Sequence, residues 1–147
     1  MDFDLIIIGA GPGGYVAAEH AADLGLKTAV VEKAQLGGTC LNRGCMPAKA
    51  LLHAAGQLSR MEAARGLGIA AEGVRFDFAE MQRAKNDAVE QLRAGIAQAF
   101  KAKKITHITG TAQVTAPNAV RVGDTAYTAK NILIASGSEP ARPPIPG

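Results

Sequence analysis

Tryptophan is absent from this 147-residue chain, and tyrosine and phenylalanine together number only six. With so few aromatic residues and a single dense basic run, "KAKK" (101–104), the sequence excludes a basic groove interleaved with aromatics, and we expect no nucleic-acid partner. Long hydrophobic runs are also missing: "LIIIGAG" (5–11) is too short to cross a membrane. Because strand-like residues begin almost at Met1 with no charged leader before them, we expect a cytoplasmic protein.

What is present suits one globular domain. Hydrophobic residues make up 48% of the chain, charged residues 20%, and the formal net charge is +3. This length accommodates one domain with a sizeable core but not two. The last eight residues contain four prolines, which cannot continue a helix or a central strand. We therefore predict a domain over residues 1–136 and an interdomain linker over 137–147.

The first quarter of the chain has the pattern of a βαβ unit. The β-branched run "DFDLIIIG" (2–9) stops at glycine, as a buried parallel strand does. An alanine-rich segment with helical spacing follows at 13–25, and "KTAVVEK" (27–33) is a second strand. Strand, helix and strand within about thirty residues predict the right-handed unit of a doubly wound sheet.

Further along the chain, helical spacing gives way to strand alternation. Residues 48–68 and 78–104 predict helices, the second of them long and amphipathic. Residues 104–136 then predict a core strand, a small antiparallel meander over 112–128 and a final core strand, "NILIAS", with turns at Pro117–Asn118 and Gly123–Asp124. The predicted fold class is α/β: a doubly wound, mainly parallel sheet with a small antiparallel meander and one long helix.

A glycine-rich loop follows the first predicted strand. "GAGPGG" places Gly9, Gly11 and Gly14 in G-x-G-x-x-G order, and Glu32 ends the second predicted strand. This order is typical of a dinucleotide site, because the glycines allow a tight turn, close approach of a pyrophosphate and close helix packing. Glu32 can accept hydrogen bonds from a ribose diol and disfavours a 2′-phosphate. The motif alone does not separate FAD from NAD.

Both cysteines lie in "GGTCLNRGCMPAK" (37–49), five positions apart. In a reducing compartment such a pair favours redox or metal chemistry over a structural staple. Zinc would need two more ligands, and the nearby His20 and His53 have no recognised spacing. A regular helix would separate the two Cα atoms by about 8.7 Å, whereas a disulfide spans about 7 Å at most. A bridge therefore requires irregular backbone, which Gly44 can provide. Zinc, two unrelated thiols and a reactive dithiol near a helix start stay open as interpretations.

Three separated motifs resemble those of one family. "GGTCLNRGCMPAK" is similar to the redox-active disulfide segment of the pyridine nucleotide-disulfide oxidoreductases, and "GAGPGG" to the FAD loop of the same flavoproteins. "NILIASGSEPARPPIPG" (131–147) resembles their second FAD-contacting segment and the linker into their NAD domain. Within the family, "CLNRGCMPAKALLHAA" looks most like the dihydrolipoamide dehydrogenase branch.

The resemblance implies a role for each matching residue. It implies that Cys40 is the interchange thiol, that Cys45 is the charge-transfer thiol beside the flavin, and that Lys49 lies near flavin N5. His53 is expected on a helix face and not in catalysis, and no metal is implied. The implied cofactor contacts are Gly9, Gly11, Gly14, Glu32, Lys33, Gly38, Thr39, Lys49, Ser136 and Gly137.

The wider chemistry is implied in the same way. Intact members oxidise dihydrolipoamide with NAD through the dithiol and FAD, serve the lipoyl domains of 2-oxoacid dehydrogenase or glycine cleavage complexes, and form homodimers. The chain has no histidine after His107 and no second dinucleotide motif. We therefore expect the N-terminal FAD-domain portion of such an enzyme, which retains FAD weakly and does not turn over alone. The alternative is a stand-alone flavin- or nucleotide-binding module. A plain NAD dehydrogenase would leave the dithiol without a role.

Overall fold

A computed structural model describes residues 1–146. This part of the chain contains six strands and four α-helices. They follow one another as β1 (Phe3–Ile8), α1 (Pro12–Asp23), β2 (Thr28–Glu32), α2 (Gly38–Arg43), α3 (Cys45–Ala64), a 3₁₀ turn (Arg65–Leu67), α4 (Phe78–Ala102), β3 (Thr106–Thr109), β4 (Ala112–Ala116), β5 (Ala119–Val122) and β6 (Thr125–Ile134).

One six-stranded sheet organises the chain, in the order β3-β2-β1-β6-β5-β4. β1 pairs in parallel with β2 and with the second half of β6, and β2 pairs in parallel with β3. β5 pairs antiparallel with β4 and with the first half of β6. The predicted fold class, including the antiparallel meander over 112–128, is confirmed.

The strand pattern differs from the prediction in two places. β6 was expected as a separate core strand from Asn131, but it begins at Thr125 and serves both parts of the sheet. Its ten residues contain neither glycine nor proline, so nothing ends the strand between the two pairings. The strand around His107 was expected in the core. It is β3 at the edge of the sheet, where three of its four residues are exposed.

Apolar side chains fill both faces of the parallel part of the sheet. Ile6 and Ile7 are both completely buried, and because successive strand residues point to opposite faces, they belong to different clusters. Ile7 packs with residues of α1 and α4, including Phe100. Ile6 packs with Val120 and Val122 of the meander. Burial on both faces explains why β1 is a continuous apolar run.

The predicted helices are confirmed with shifted ends. The helix expected over 13–25 is α1, and the long helix expected over 78–104 is α4. Asp77 begins α4 by accepting a hydrogen bond from the Glu80 backbone N–H at 3.0 Å. The helix expected over 48–68 starts earlier, at Cys45, and the short α2 before it was not predicted.

The long helices α3 and α4 form a helical arm, residues 45–102, that carries little of the core. α3 contains no buried residue, and α4 buries only Val89, Ile96 and Phe100, from its middle onward. α3 and α4 pack mainly on each other, and α4 attaches the arm to the sheet through those three side chains. No helix within residues 1–146 is long and apolar enough to cross a membrane.

The proline-rich end, residues 137–146, forms neither helix nor strand. Gly147, the last residue of the predicted linker, lies outside the described residues. The boundary at 136 stays a prediction.

Candidate nucleotide cleft and redox disulfide

The loop after β1 has a backbone that requires glycine at two of its motif positions. Gly9 adopts φ +101°, and a Cβ there would collide with the Ala135 carbonyl oxygen. A Cβ on Gly14 would collide with the Gly9 carbonyl oxygen, so the first turn of α1 can lie directly on the loop. A Cβ on Gly11 would meet only the Gly38 Cα, at 3.8 Å. The loop therefore presents bare backbone at Gly11.

The amino terminus of α1 opens directly from this loop. Gly11 occupies the N-cap position, Pro12 follows it, and within residues 1–146 no side chain caps the helix and no acidic residue lies in its first turn. The first-turn N–H groups and the positive end of the helix dipole are therefore not neutralised by the protein itself. Such a terminus can bind an anion.

A cleft of about 960 Å³ lies against this loop, at the carboxyl ends of the parallel strands. In the sheet, β1 lies between β2 and β6. The strand order therefore changes direction at β1, and the cleft lies at this point. Eight predicted site residues line it: Gly9, Gly11, Glu32, Lys33, Gly38, Thr39, Ser136 and Gly137. Gly14 supports the loop from behind, and Lys49 is not among the lining residues.

Glu32 has a structural role that the sequence analysis missed. Its Oε2 accepts a hydrogen bond from the Ala10 backbone N–H at 2.8 Å, and its Oε1 accepts one from the Ala34 N–H at 2.9 Å. The carboxylate thus ties the glycine loop to the end of β2. Each oxygen has two lone pairs, so both can accept a second hydrogen bond from a ligand in the cleft.

The cysteines are joined in a Cys40–Cys45 disulfide, with their Cα atoms 4.8 Å apart. This distance is well below the separation in a regular helix, and the backbone is broken as predicted. α2 ends at Arg43, Gly44 adopts φ −127° and ψ −105°, and α3 begins at Cys45. The break at Gly44 therefore brings the two cysteines within bridging range.

The two sulfur-bearing residues have different surroundings. Cys40 is half-buried, whereas Cys45 is exposed at the first position of α3. Lys49 is exposed and follows Cys45 by four residues, on the same helix face. Neither cysteine lines the cleft, but Thr39 and Asn42, on either side of Cys40, do.

One glycine contact joins the disulfide segment to the glycine loop. A Cβ on Gly38 would lie 2.6 Å from the Gly11 Cα, which no real side chain could occupy. Gly38 also has φ +61°, a conformation that glycine adopts readily. The backbone at Gly38, two residues before Cys40, therefore contacts the loop that a pyrophosphate would approach.

Several residues of the cleft were missed by the sequence analysis. Asn42 and Arg43 come from α2, and Ser138, Glu139 and Arg142 from the segment after β6. Arg43, Arg142 and the predicted Lys33 give the cleft three cations. A polar residue between two cysteines was a visible signal for Asn42. Nothing local identifies Arg142, because its place depends on where β6 ends.

His53, Asp2 and Asp4 do not line the cleft. His53 on α3 contacts Gln57 and is exposed, as expected for a helix-face residue. Residues 1–146 contain no cluster of three or more His, Cys, Asp or Glu that could hold a metal ion. Hydrogen bonds from the backbone and hydroxyl of Thr128 lower the pKa of Asp2, and the Lys130 side chain and Lys27 backbone lower the pKa of Asp4, both near the start of β1.

Comparison with known proteins identifies the family to which this chain belongs. The sequence pattern of the pyridine nucleotide-disulphide oxidoreductases matches residues 3–147. The chain belongs to this family. Two curated members are similar over its whole length: dihydrolipoyl dehydrogenase of Mycoplasma genitalium, 43% identical, and mitochondrial dihydrolipoyl dehydrogenase of Caenorhabditis elegans, 48% identical. The chain spans 32% and 30% of these two relatives.

A solved oxidoreductase of similar structure is the HOCl-induced flavoprotein disulfide reductase RclA from Escherichia coli. The two structures agree with a TM-score of 0.80 and 30% sequence identity, over 98% of this chain and 30% of the other. Membership of the pyridine nucleotide-disulphide oxidoreductases, together with this flavoprotein neighbour, supports a flavin cofactor.

Proposed function

We propose that this chain is the FAD-binding portion of a dihydrolipoyl dehydrogenase, in which Cys40–Cys45 is the redox disulfide. The contact of Gly38 with Gly11 carries the proposal, because it makes the disulfide segment and the nucleotide loop one continuous unit. The similarity to dihydrolipoyl dehydrogenases over the whole chain supports this substrate class. We propose residues 1–136 as the FAD-binding domain and 137–147 as the linker toward an NAD-binding domain.

The residues of the cleft fit FAD. A Cβ at Gly38 would fill the approach to Gly11, so the floor of the cleft is backbone that a pyrophosphate can reach. Gly9, Gly11 and the first turn of α1 would hold the pyrophosphate, and Glu32 would accept from the ribose diol while holding the loop. The other proposed contacts are Gly14, Lys33, Gly38, Thr39, Lys49, Ser136 and Gly137. FAD, when bound, would take two electrons from the dithiol and pass them as hydride to NAD.

Cys40 and Cys45 would perform the disulfide exchange. One thiolate of dihydrolipoamide attacks the Cys40 sulfur, which forms a mixed disulfide and releases Cys45 as a thiolate. The second lipoyl thiolate attacks the lipoyl sulfur of that mixed disulfide, releases Cys40 and closes lipoamide. Two electrons reach the protein sulfurs. The amino terminus of α3 and the Lys49 cation would both stabilise the Cys45 thiolate.

The partners follow from the same substrate. We propose that the intact protein is a cytoplasmic homodimer and takes its electrons from the lipoyl domain of a 2-oxoacid dehydrogenase or glycine cleavage complex. Such lipoyl groups are tethered dithiols, and the exposed Cys45 and half-buried Cys40 lie where a tethered group could approach.

Trapping of the mixed disulfide tests the proposal without requiring turnover. The reduced Cys45→Ser variant is mixed with oxidised lipoamide, whose S–S bond opens as the Cys40 thiolate attacks one sulfur and the other is released as a thiolate. An alkylating agent then caps that lipoyl thiolate before it can re-close the ring, and the product is analysed by intact mass. We expect one lipoyl adduct per chain, located at Cys40 by peptide mapping. The matched Cys40→Ser variant should form at least about tenfold less adduct, because the interchange role belongs to Cys40. Equal labelling of both variants, or none, would contradict the assignment.

Flavin titration tests the cleft separately. The unmodified chain is titrated with FAD, and quenching of the flavin fluorescence is followed. We expect weak, reversible binding that Gly11→Val abolishes, because a side chain at Gly11 would occupy the phosphate approach. Binding that is unaffected by Gly11→Val would place the flavin elsewhere.

A further inference from the structure

Asn42 lies between the two cysteines and uses its whole side chain in hydrogen bonds. Its Nδ2 donates to the Leu36 and Gly38 carbonyl oxygens, both at 2.9 Å. Its Oδ1 accepts from Nε and Nη2 of Arg93, at 3.2 and 3.0 Å. Two donor hydrogens and two acceptor lone pairs are thus all engaged. Such a fully satisfied amide fixes the position of its backbone.

Arg93 reaches Asn42 from the helical arm, 51 residues further along the chain. Its Nη1 also donates to Glu90 on the same helix, at 2.6 Å, and its side chain is only 25% exposed. Arg83, nearer the start of α4, forms a similar ion pair with Glu80, but its side chain is 65% exposed. A charged donor that is partly buried contributes more than an exposed ion pair. Arg93 is therefore the polar connection between α4 and the disulfide segment.

The connection matters most when the disulfide is reduced. α2 has six residues and buries only Leu41, so it is too short to persist by itself. In the disulfide form the covalent bond to Cys45 holds it in place. In the dithiol form that bond is absent, and α2 is held by Leu41, by the Gly38–Gly11 contact and by the hydrogen bonds of Asn42.

We propose that Arg93 and Asn42 are a positioning pair, which holds α2 against α4 and the glycine loop and thereby sets how readily Cys40 and Cys45 form their disulfide. This inference rests on the proposed redox role of that disulfide. Neither residue reacts. They keep the two thiols close, and closer thiols favour the disulfide in exchange with another dithiol or thiol pair.

The redox equilibrium of the purified chain with glutathione tests the pair. In this exchange the two protein thiols are oxidised to the disulfide while one oxidised glutathione is reduced to two glutathione thiols. The fraction oxidised is measured by acid quenching, alkylation and mass spectrometry across a series of glutathione ratios. We expect Arg93→Met, which keeps side-chain length but removes the donors, to lower the equilibrium constant for disulfide formation about three- to tenfold.

Three comparisons separate positioning from general stability. Arg83→Met on the same helix, and Glu90→Gln, which removes the ion pair but keeps the contact with Asn42, should each leave the constant within about twofold of the unmodified chain. The double variant Arg93→Met with Asn42→Ala should shift it no further than Asn42→Ala alone, because the two residues act together. Circular dichroism records whether each variant keeps its helices and sheet.

An Arg93→Met constant equal to that of Arg83→Met, or additive effects in the double variant, would overturn the pair. If Arg93→Met does not fold, Arg93→Lys replaces it, with a smaller shift expected in the same direction and an unchanged constant overturning the proposal. Because glutathione needs neither flavin nor lipoamide, failure here is distinct from failure of the lipoyl adduct experiment.

Discussion

The parallel sheet and the helical arm contain similar apolar residues but bury them differently. Ile6, Ile7 and Val30 of the sheet are completely buried, whereas Leu52 on α3 is 71% exposed. The sheet is covered on both faces by its own chain, whereas the arm is joined to the rest of the molecule by three buried side chains of α4, by the Cys40–Cys45 disulfide and by the Arg93–Asn42 contact. The sheet therefore supplies the stability that constrains the glycine loop, and the arm carries the second thiol on a less protected scaffold.

The largest expected effect is on the turnover rate, which should differ most between an intact enzyme and a chain that has only these two regions. The sheet provides one nucleotide cleft, and α2 and the arm together provide a dithiol, but the 147 residues contain no second dinucleotide motif. No motif positions His20, His53 or His107 as a base for Cys40. We expect no measurable lipoamide-linked NADH turnover by this chain with added FAD, because cofactor positioning and general-base catalysis each contribute about a hundredfold or more. A coupled assay that finds activity within about tenfold of an intact relative would refute this expectation.

Hydrogen exchange measures the difference in protection directly. Amides of β1 and β2 lie in the doubly covered sheet, whereas those of α3 belong to a helix without a buried residue. We expect β1 and β2 amides to exchange about a thousandfold more slowly than amides in the middle of α3, since α3 can open without exposing the core. Peptide-resolved mass spectrometry at neutral pH gives both rates. Equal protection would mean that the arm and the sheet unfold as one unit.

Two matched glycine substitutions compare packing in the two regions. Gly14 of α1 has no room for a Cβ, which would strike the Gly9 carbonyl, whereas a Cβ on Gly56 of α3 meets nothing within 4 Å. Gly14→Ala should lower the unfolding free energy by about 2–4 kcal/mol through displacement of the loop. Gly56→Ala should raise it by about 0.5–1 kcal/mol, because alanine favours the helix and nothing opposes it. Urea unfolding of the two variants is the measurement, and effects of the same sign would count against this description of the packing.

Acid sensitivity gives the smallest expected effect and belongs to the sheet. The pKa values of Asp2 and Asp4 are lowered below the ordinary 3.8 by hydrogen bonds in the folded chain. The unfolded chain therefore binds more protons, so this stabilisation is complete above pH 3.8 and is lost as the pH falls through the lowered values. Asp2→Asn with Asp4→Asn should flatten the pH dependence of the unfolding midpoint below about pH 4. An unchanged pH profile would show that these two carboxylates contribute nothing measurable.

Much of the fold was predictable because its signals are local. The βαβ unit, the long helix and the turns of the meander depend on spacing and turn residues that lie close together in the sequence. The glycines at 9, 11 and 14 are signals of the same kind. The cysteine segment was also predictable in part, since helix geometry alone requires irregular backbone before Cys40 and Cys45 can be bridged.

The sequence by itself thus determined the element types apart from the short α2, together with the glycine loop and the irregular backbone that a bridge requires. Only the tertiary structure decided that β6 joins both parts of the sheet, that Glu32 ties down the loop and that Arg93 meets Asn42 across 51 residues. Periodicity reports which face of an element is apolar, but it does not report which distant element covers that face. The exposure of α3 and the contact of Gly38 with Gly11 of the glycine loop follow from such long-range packing.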